Sequence, residues 1–166
     1  MFTQILLHTP GWVWALLVGL VALGYSQTRS RSISQGRLVI IPAAMMVLSL
    51  YGTLSAFGPS PTVVGAWLAA CALAASLVAL RTAPAGTAYD RVHRRYTLPG
   101  SWLPLVVILG IFCTKYAVGV TLAMHSAMAH HTLFATLIGT LYGLFSGFFA
   151  GRALRLWRLT LPPTSI

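Results

Sequence analysis

The chain has 166 residues, 57% of them hydrophobic and only 7% charged, against about 25% charged in an average soluble domain. This composition excludes a soluble globule and predicts a membrane protein. Its formal charge of +10 leaves room for a single acidic residue, Asp90, so paired-carboxylate acid and base chemistry is excluded as well.

Five apolar stretches reach or approach the roughly 20 residues that cross a hydrocarbon core of about 30 Å: 10–26, 38–57, 63–80, 102–124 and 133–157. The first has no basic segment before it and no small-x-small cleavage site after it, so it is expected to be a retained helix rather than a signal peptide. RSRSIS, which follows, reads as a solvated loop whose serines offer phosphorylation targets by residue type alone. Pro59 and Pro61 predict a tight turn over 58–62. The longest connection, TAPAGTAYDRVHRRYTLPGS, brackets a polar middle between Pro84, Gly86, Pro99 and Gly100, and YDRVHRRYT is expected to lie on the membrane surface as a short amphipathic segment. No connection is long enough for a soluble domain. The expectation is one all-α, polytopic membrane helix bundle over 1–166.

Arg29, Arg31 and Arg37 fall between the first two spans, Arg81, Arg91, Arg94 and Arg95 between the third and fourth, and Arg152, Arg155 and Arg158 at the C-terminal end. The N-terminus and the connections 58–62 and 125–132 carry no Lys or Arg. Basic residues in short loops favour the cytoplasm, so the N-terminus is expected outside and the C-terminus inside. The basicity then serves topology and attraction to anionic lipid headgroups, with no nucleic-acid footprint. Trp12, Trp14 and Trp67 are expected at the outer membrane boundary, Trp102 and Trp157 at the inner one. Arg31 and Gly36 match Arg95 and Gly100 at one offset, a match too short to establish a duplicated hairpin.

Small residues recur at four-residue spacing. Gly139, Gly143, Gly147 and Gly151 line the fifth span over about 18 Å, extended by Ala135 and ended by Arg155. In water each glycine costs a helix roughly 1 kcal/mol against alanine, whereas in lipid the helix is enforced and small side chains permit close approach. This glycine-zipper face is expected to pack against a neighbouring helix of the same bundle, in preference to a second copy of the chain. Gly11, Ala15 and Gly19, Gly52 and Ala56, and Ala66, Ala70 and Ala74 are similar stripes on the first three spans.

Lys115, in IFCTKYAVGV, lies near the centre of the fourth span, where a charged lysine costs on the order of 3 kcal/mol. No span contains Asp or Glu, so a buried carboxylate from this chain is excluded as its counter-ion. The remaining partners are Thr114, Tyr116, backbone carbonyls, an anionic ligand, a lipid headgroup reached by snorkelling, or a carboxylate of another protein. A carboxylate-driven cation carrier is disfavoured by the same absence.

In the outer loop MHSAMAHH, residues Met124, His125, Met128, His130 and His131, with His8 nearby, combine thioether and imidazole donors that suit copper, or histidine pairs that suit haem. Their spacing fits no fixed metal signature, and polar capping or a pH-dependent loop charge explains the same residues. Cys71 and Cys113 fall mid-span without a CxxC spacing and read as small packing residues. HExxH, GxSxG, Walker and dinucleotide-binding motifs are missing, and no enzymatic activity is expected.

MFTQILLHTPGWVWALL, YGTLSAFG, LPGSWLP, TKYAVGVTLAMH and LYGLFSGFFAGRALRLW together resemble a family of small, uncharacterised bacterial inner-membrane proteins with five transmembrane helices, known only as a domain of unknown function. The resemblance spans nearly the whole chain. It implies a multi-pass protein of a bacterial inner membrane and supplies no activity, ligand or catalytic residue. Three functions are weighed on the residues themselves. The first is a non-enzymatic scaffold or accessory subunit, without resident cofactor, completed by a homo-oligomer or another membrane subunit. The second is a transporter or channel for a small anionic or neutral solute using Lys115. The third is an outer-face copper or haem site.

Overall fold

The computed structural model describes residues 10–90, 92–93 and 95–160, and it is mostly helical. In chain order the elements are α1 (Gly11–Ser26), β1 (Arg31–Ser34), α2 (Gln35–Phe57), α3 (Pro61–Ala79), β2 (Ala88–Asp90), β3 (Arg95–Leu98), α4 (Leu103–Met124) and α5 (Thr132–Trp157). Short 3-10 turns cover Ser126–His130 and Arg158–Thr160. Helices α2, α3, α4 and α5 with its 3-10 extension are long and apolar enough to cross a membrane. At 16 residues α1 is equally apolar but rises only about 24 Å, short of a hydrocarbon core of about 30 Å. The chain divides into two compact units, residues 1–30 with 100–126, and residues 31–99 with 127–166.

In the first unit the C-terminal end of α1 lies against the N-terminal end of α4. Ser101 N–H donates to the Gln27 carbonyl at 3.1 Å, and the Tyr25 and Trp102 rings meet edge to face at 6.3 Å. Gly24 permits the approach, because a Cβ there would run into Leu105. The stripe expected on this helix at Gly11, Ala15 and Gly19 is not the one used: all three are exposed, and a Cβ on Gly11 or Gly19 would meet open space.

The second unit is organised by α5. A Cβ on Gly139 would press on Val63, on Gly143 on the Trp67 carbonyl, on Gly147 on the Cys71 carbonyl, and on Gly151 on the Ala75 carbonyl. The partners also advance by four residues, so α3 and α5 run parallel with glycine facing backbone at every turn. Glycine leaves a Cα hydrogen where a Cβ would be, which aims a weak donor at each carbonyl. The Cβ atoms of Ala70 and Ala74 pack beside Gly143 and Gly147. The glycine face therefore packs inside the chain, and its complement is the alanine stripe of α3.

Polar groups at this seam are matched. Ser49 Oγ on α2 donates to the Tyr142 carbonyl at 3.3 Å and accepts from Trp67 Nε1 at 3.1 Å, tying α2, α3 and α5 together. Thr53 and Ser146, both buried, donate to the carbonyls of Ser49 and Tyr142 one turn earlier. Trp67 is thus only 5% exposed, a correction to its expected place in an interfacial belt. It sits on the α3 face that meets α5, and its indole N–H finds a hydroxyl there instead of lipid headgroups or water. Trp12, Trp14, Trp102 and Trp157 do present exposed rings. Between α2 and α3, Gly58 turns the chain at φ 72°, a conformation that glycine adopts freely.

The connections do not match the expectation of an all-α fold. RSIS and the polar middle of the long connection form a three-stranded antiparallel sheet in the order β1-β3-β2. Ile33 pairs with Tyr96, and Tyr96 in turn with Tyr89, whose ring lies 4.7 Å away. The inward residues Tyr96 and Leu98 pack with Leu38 of α2 and Leu156 of α5 in one buried cluster. Strand alternation accounts for this, since Ser32, Ser34, Arg95 and Thr97 point the other way and stay exposed. The segments flanking the N-terminus of α2, the C-terminus of α3 and the C-terminus of α5 therefore meet at one end of this unit.

Opposite outcomes are expected from two glycine substitutions. Gly147→Ala should lower the thermal unfolding midpoint in detergent, by the equivalent of about 1–3 kcal/mol of overpacking. Gly65→Ala, on an exposed position of α3 with nothing within 4 Å, should leave it unchanged or raise it. Equal effects would show that the seam is not close-packed.

Candidate functional site: an exposed intramembrane lysine and a cluster of arginines

Lys115 stands midway along α4, exposed, as do its neighbours at one and two turns' remove, Gly119 and Ala123. The Thr114 hydroxyl donates to the Gly110 carbonyl at 2.8 Å, the usual use of a hydroxyl inside an apolar helix. Tyr116 stacks on Phe112, with ring centroids 6.2 Å apart and 9° between planes. The three residues grouped by sequence thus diverge. Thr114 serves its own helix, Tyr116 an aromatic pair, and Lys115 is the exposed residue of the three. Lys115 and Tyr116 each have further interactions of their own.

The residues weighed as metal ligands are distributed over three pieces of backbone. Met124 and His125 close α4, Met128 and His130 lie in the 3-10 turn, and His131 precedes α5. All three histidines are exposed, and among the described residues no three His, Cys, Asp or Glu side chains converge as a metal site. His8 lies outside the described residues. Cys71 and Cys113 are free thiols.

Charge is concentrated where the basic connections meet α5. Arg158 Nη1 donates to the Ala79 carbonyl at 2.9 Å, placing a cation on the negative end of α3. Arg155, one turn beyond Gly151, continues the glycine face toward the end of α3, which Arg81 follows. Arg152 lies one turn before Leu156, against whose cluster Ile33, two residues from Arg31, is packed. Burial works against the charged form of Arg31, lowering its pKa from the ordinary guanidinium value. The single acidic side chain, Asp90, has its ion pair with His93.

Asp90 has another task. Its Oδ1 accepts the backbone N–H groups of Val92 at 2.9 Å and His93 at 3.2 Å, and Oδ2 meets His93 Nδ1 at 2.7 Å. This closes the β2–β3 turn, as Asp does in an Asx-turn. The His93 side-chain bond, with the backbone bonds, holds the Asp90 carboxyl below its ordinary value. Burial, aided by Tyr89, pushes the Tyr96 phenol upward. Beside the turn an open groove of about 420 Å³ is lined by Ser34, Gln35, Gly36, Val39, His93 and Trp157.

Because the folded carboxyl is depressed, its contribution to the turn is fully present above the unfolded value near ~4 and is lost as pH falls through the folded value. Acidification through that window should speed hydrogen exchange at the Val92 and His93 amides, and Asp90→Asn should show the same acceleration at neutral pH. Unchanged exchange in both cases would remove Asp90 from the turn.

No curated protein and no solved structure shows significant similarity to the chain. A family model matches residues 1–163, a range that includes every residue described above, and the protein belongs to that family, one of unknown function (DUF6622).

Proposed function

We propose that this protein is a non-enzymatic scaffold or accessory subunit of a bacterial cytoplasmic membrane, spanning it five times with its N-terminus outside and its C-terminus in the cytoplasm. The orientation is supported by the grouping of Arg31, Arg81, Arg95 and Arg158 at one end of the second unit, as positive-inside topology requires. The glycine-zipper helix acts as the internal spine of that unit, and docking falls to the other one.

The observation that carries the reading is Lys115, an ionisable group exposed at the midpoint of an apolar helix. An ionisable group at that depth is costly against lipid, and a neighbouring transmembrane segment that covers this face removes it from contact with the acyl chains. A residue lining a solute pathway would instead face an enclosed polar cavity. The occupant of this face is another transmembrane helix, from a second copy or a different subunit.

A photoreactive residue introduced at Gly119, one turn from Lys115 and with nothing within 4 Å, tests this in native membranes. The expected product is a discrete protein adduct that falls severalfold when Lys115 is replaced by Met. Adducts with lipid alone, or abolition of solute flux in liposomes by Lys115→Met with assembly intact, would refute the scaffold reading.

A further inference from the structure

We propose that Arg152 and Arg155, flanked by Arg31 and Arg81, form a cradle for a phosphate group at the arginine-rich end of the second unit. The cradle is independent of the scaffold reading, because it uses none of the groups around Lys115.

Three observations converge on it. Arg155 Nε is buried and has no hydrogen-bond partner among the described residues. A buried guanidinium N–H without an acceptor is rare, since charge-assisted donors are costly to leave unmade. Secondly, the fold gathers cations here: Arg152 and Arg155 stand three residues apart on α5, Arg158 donates to the Ala79 carbonyl two residues before Arg81, and Ile33, two residues after Arg31, packs against the cluster of Leu156. Arg152 also sits one turn before Leu156, which is locked into the buried cluster with Leu38, Tyr96 and Leu98. Helix α5 thereby holds Arg152 toward the sheet and Arg155 toward the end of α3. Thirdly, the chain cannot neutralise the cluster with a side chain of its own. Asp90 is its only acid, and that carboxylate is held by the turn it closes.

The chemistry selects phosphate. Guanidinium groups present planar forks that match phosphoryl oxygens bidentately, and a tetrahedral anion has enough oxygens for two forks at once. Arg158 does not compete, because its Nη1 is engaged with the Ala79 carbonyl. Arg31 is engaged in contacts of its own and contributes field rather than a free donor. Two sources present this group at the end of a transmembrane helix: the headgroup of an anionic phospholipid, and a free phosphate or phosphate ester from the aqueous side.

The test uses full-length protein stripped of lipid in neutral detergent, with three probes: inorganic phosphate, phosphatidylglycerol against phosphatidylcholine in mixed micelles, and a polyglutamate peptide. Retained lipid is read by native mass spectrometry and affinity from the shift in unfolding midpoint. Arg152→Gln with Arg155→Gln should weaken phosphate or phosphatidylglycerol binding by about tenfold or more, one decade of affinity. The control pair Arg37→Gln with Arg95→Gln removes the same charge from exposed positions and should bind as the wild type does. Should the Gln pair fail to fold, Arg152→Lys with Arg155→Lys keeps the charge, loses the fork and should still bind measurably more weakly. Protection by inorganic phosphate identifies a free anion as sufficient, while protection by phosphatidylglycerol alone identifies the headgroup. Binding of neither phosphate probe, binding of polyglutamate only, equal loss in the cluster and control pairs, or full affinity in the Lys pair would each overturn the proposal.

Discussion

The approach of α5 to α3 is the constraint on which the rest of the second unit depends. Lipid tails are as apolar as leucine, so no hydrophobic gain drives two membrane helices together. What remains is packing and weak polar contact, and both improve as the backbones close. Replacing a side chain by hydrogen at Gly139, Gly143, Gly147 and Gly151 brings α5 within contact of the carbonyls of α3 along three turns. The same closeness sets the positions of Ser49, Trp67 and Tyr142, whose hydrogen bonds join α2 to the pair. It also fixes where α5 ends, and hence where Arg152, Arg155 and Arg158 stand relative to the last turn of α3.

A second constraint follows from having a single acid among eleven basic residues. Ordinary ion pairing is unavailable, so the cations are managed by other means. Arg158 uses a helix-terminal carbonyl, Arg95 is on the outward face of the small sheet, and Arg31 begins its edge strand β1. Aligning those strands on the apolar cluster beneath them brings basic segments distant in sequence to one end. Topogenic charge and tertiary structure thus become the same residues, and local crowding of guanidinium groups is the result.

Much of this architecture was legible in the residues. The expected spans agree with the helices to within about three residues at each end, because a run of apolar residues bounded by Arg, Pro or Gly leaves little freedom. The glycine face was legible too, since four-residue spacing marks one side of a helix whatever it meets, but its complement was not, because α1, α2 and α3 all carry small residues at that spacing. Trp67 was not: at the seventh residue of α3 its depth suggests an interface, and only the face it occupies reveals burial. The sheet was hidden because strands of three or four residues give too little alternation to read, and their pairing joins segments more than sixty residues apart. In RYTL the inward Tyr and Leu were the one available sign. At the candidate sites, Lys115 announced itself by residue type and depth. The arginines did not, because a positive-inside count explains each singly and cannot show which of them converge.

The central claim is that the glycine face of α5 is closed by α3 of the same chain. Magic-angle-spinning NMR in lipid bilayers tests it directly, using protein labelled at the glycine Cα and at the Trp67 and Cys71 carbonyls and diluted into a large excess of unlabelled chains. The account requires cross-peaks between Gly143 or Gly147 Cα and those carbonyls to keep their intensity per labelled molecule on dilution. Loss of the cross-peaks on dilution would place the contact between copies and contradict it.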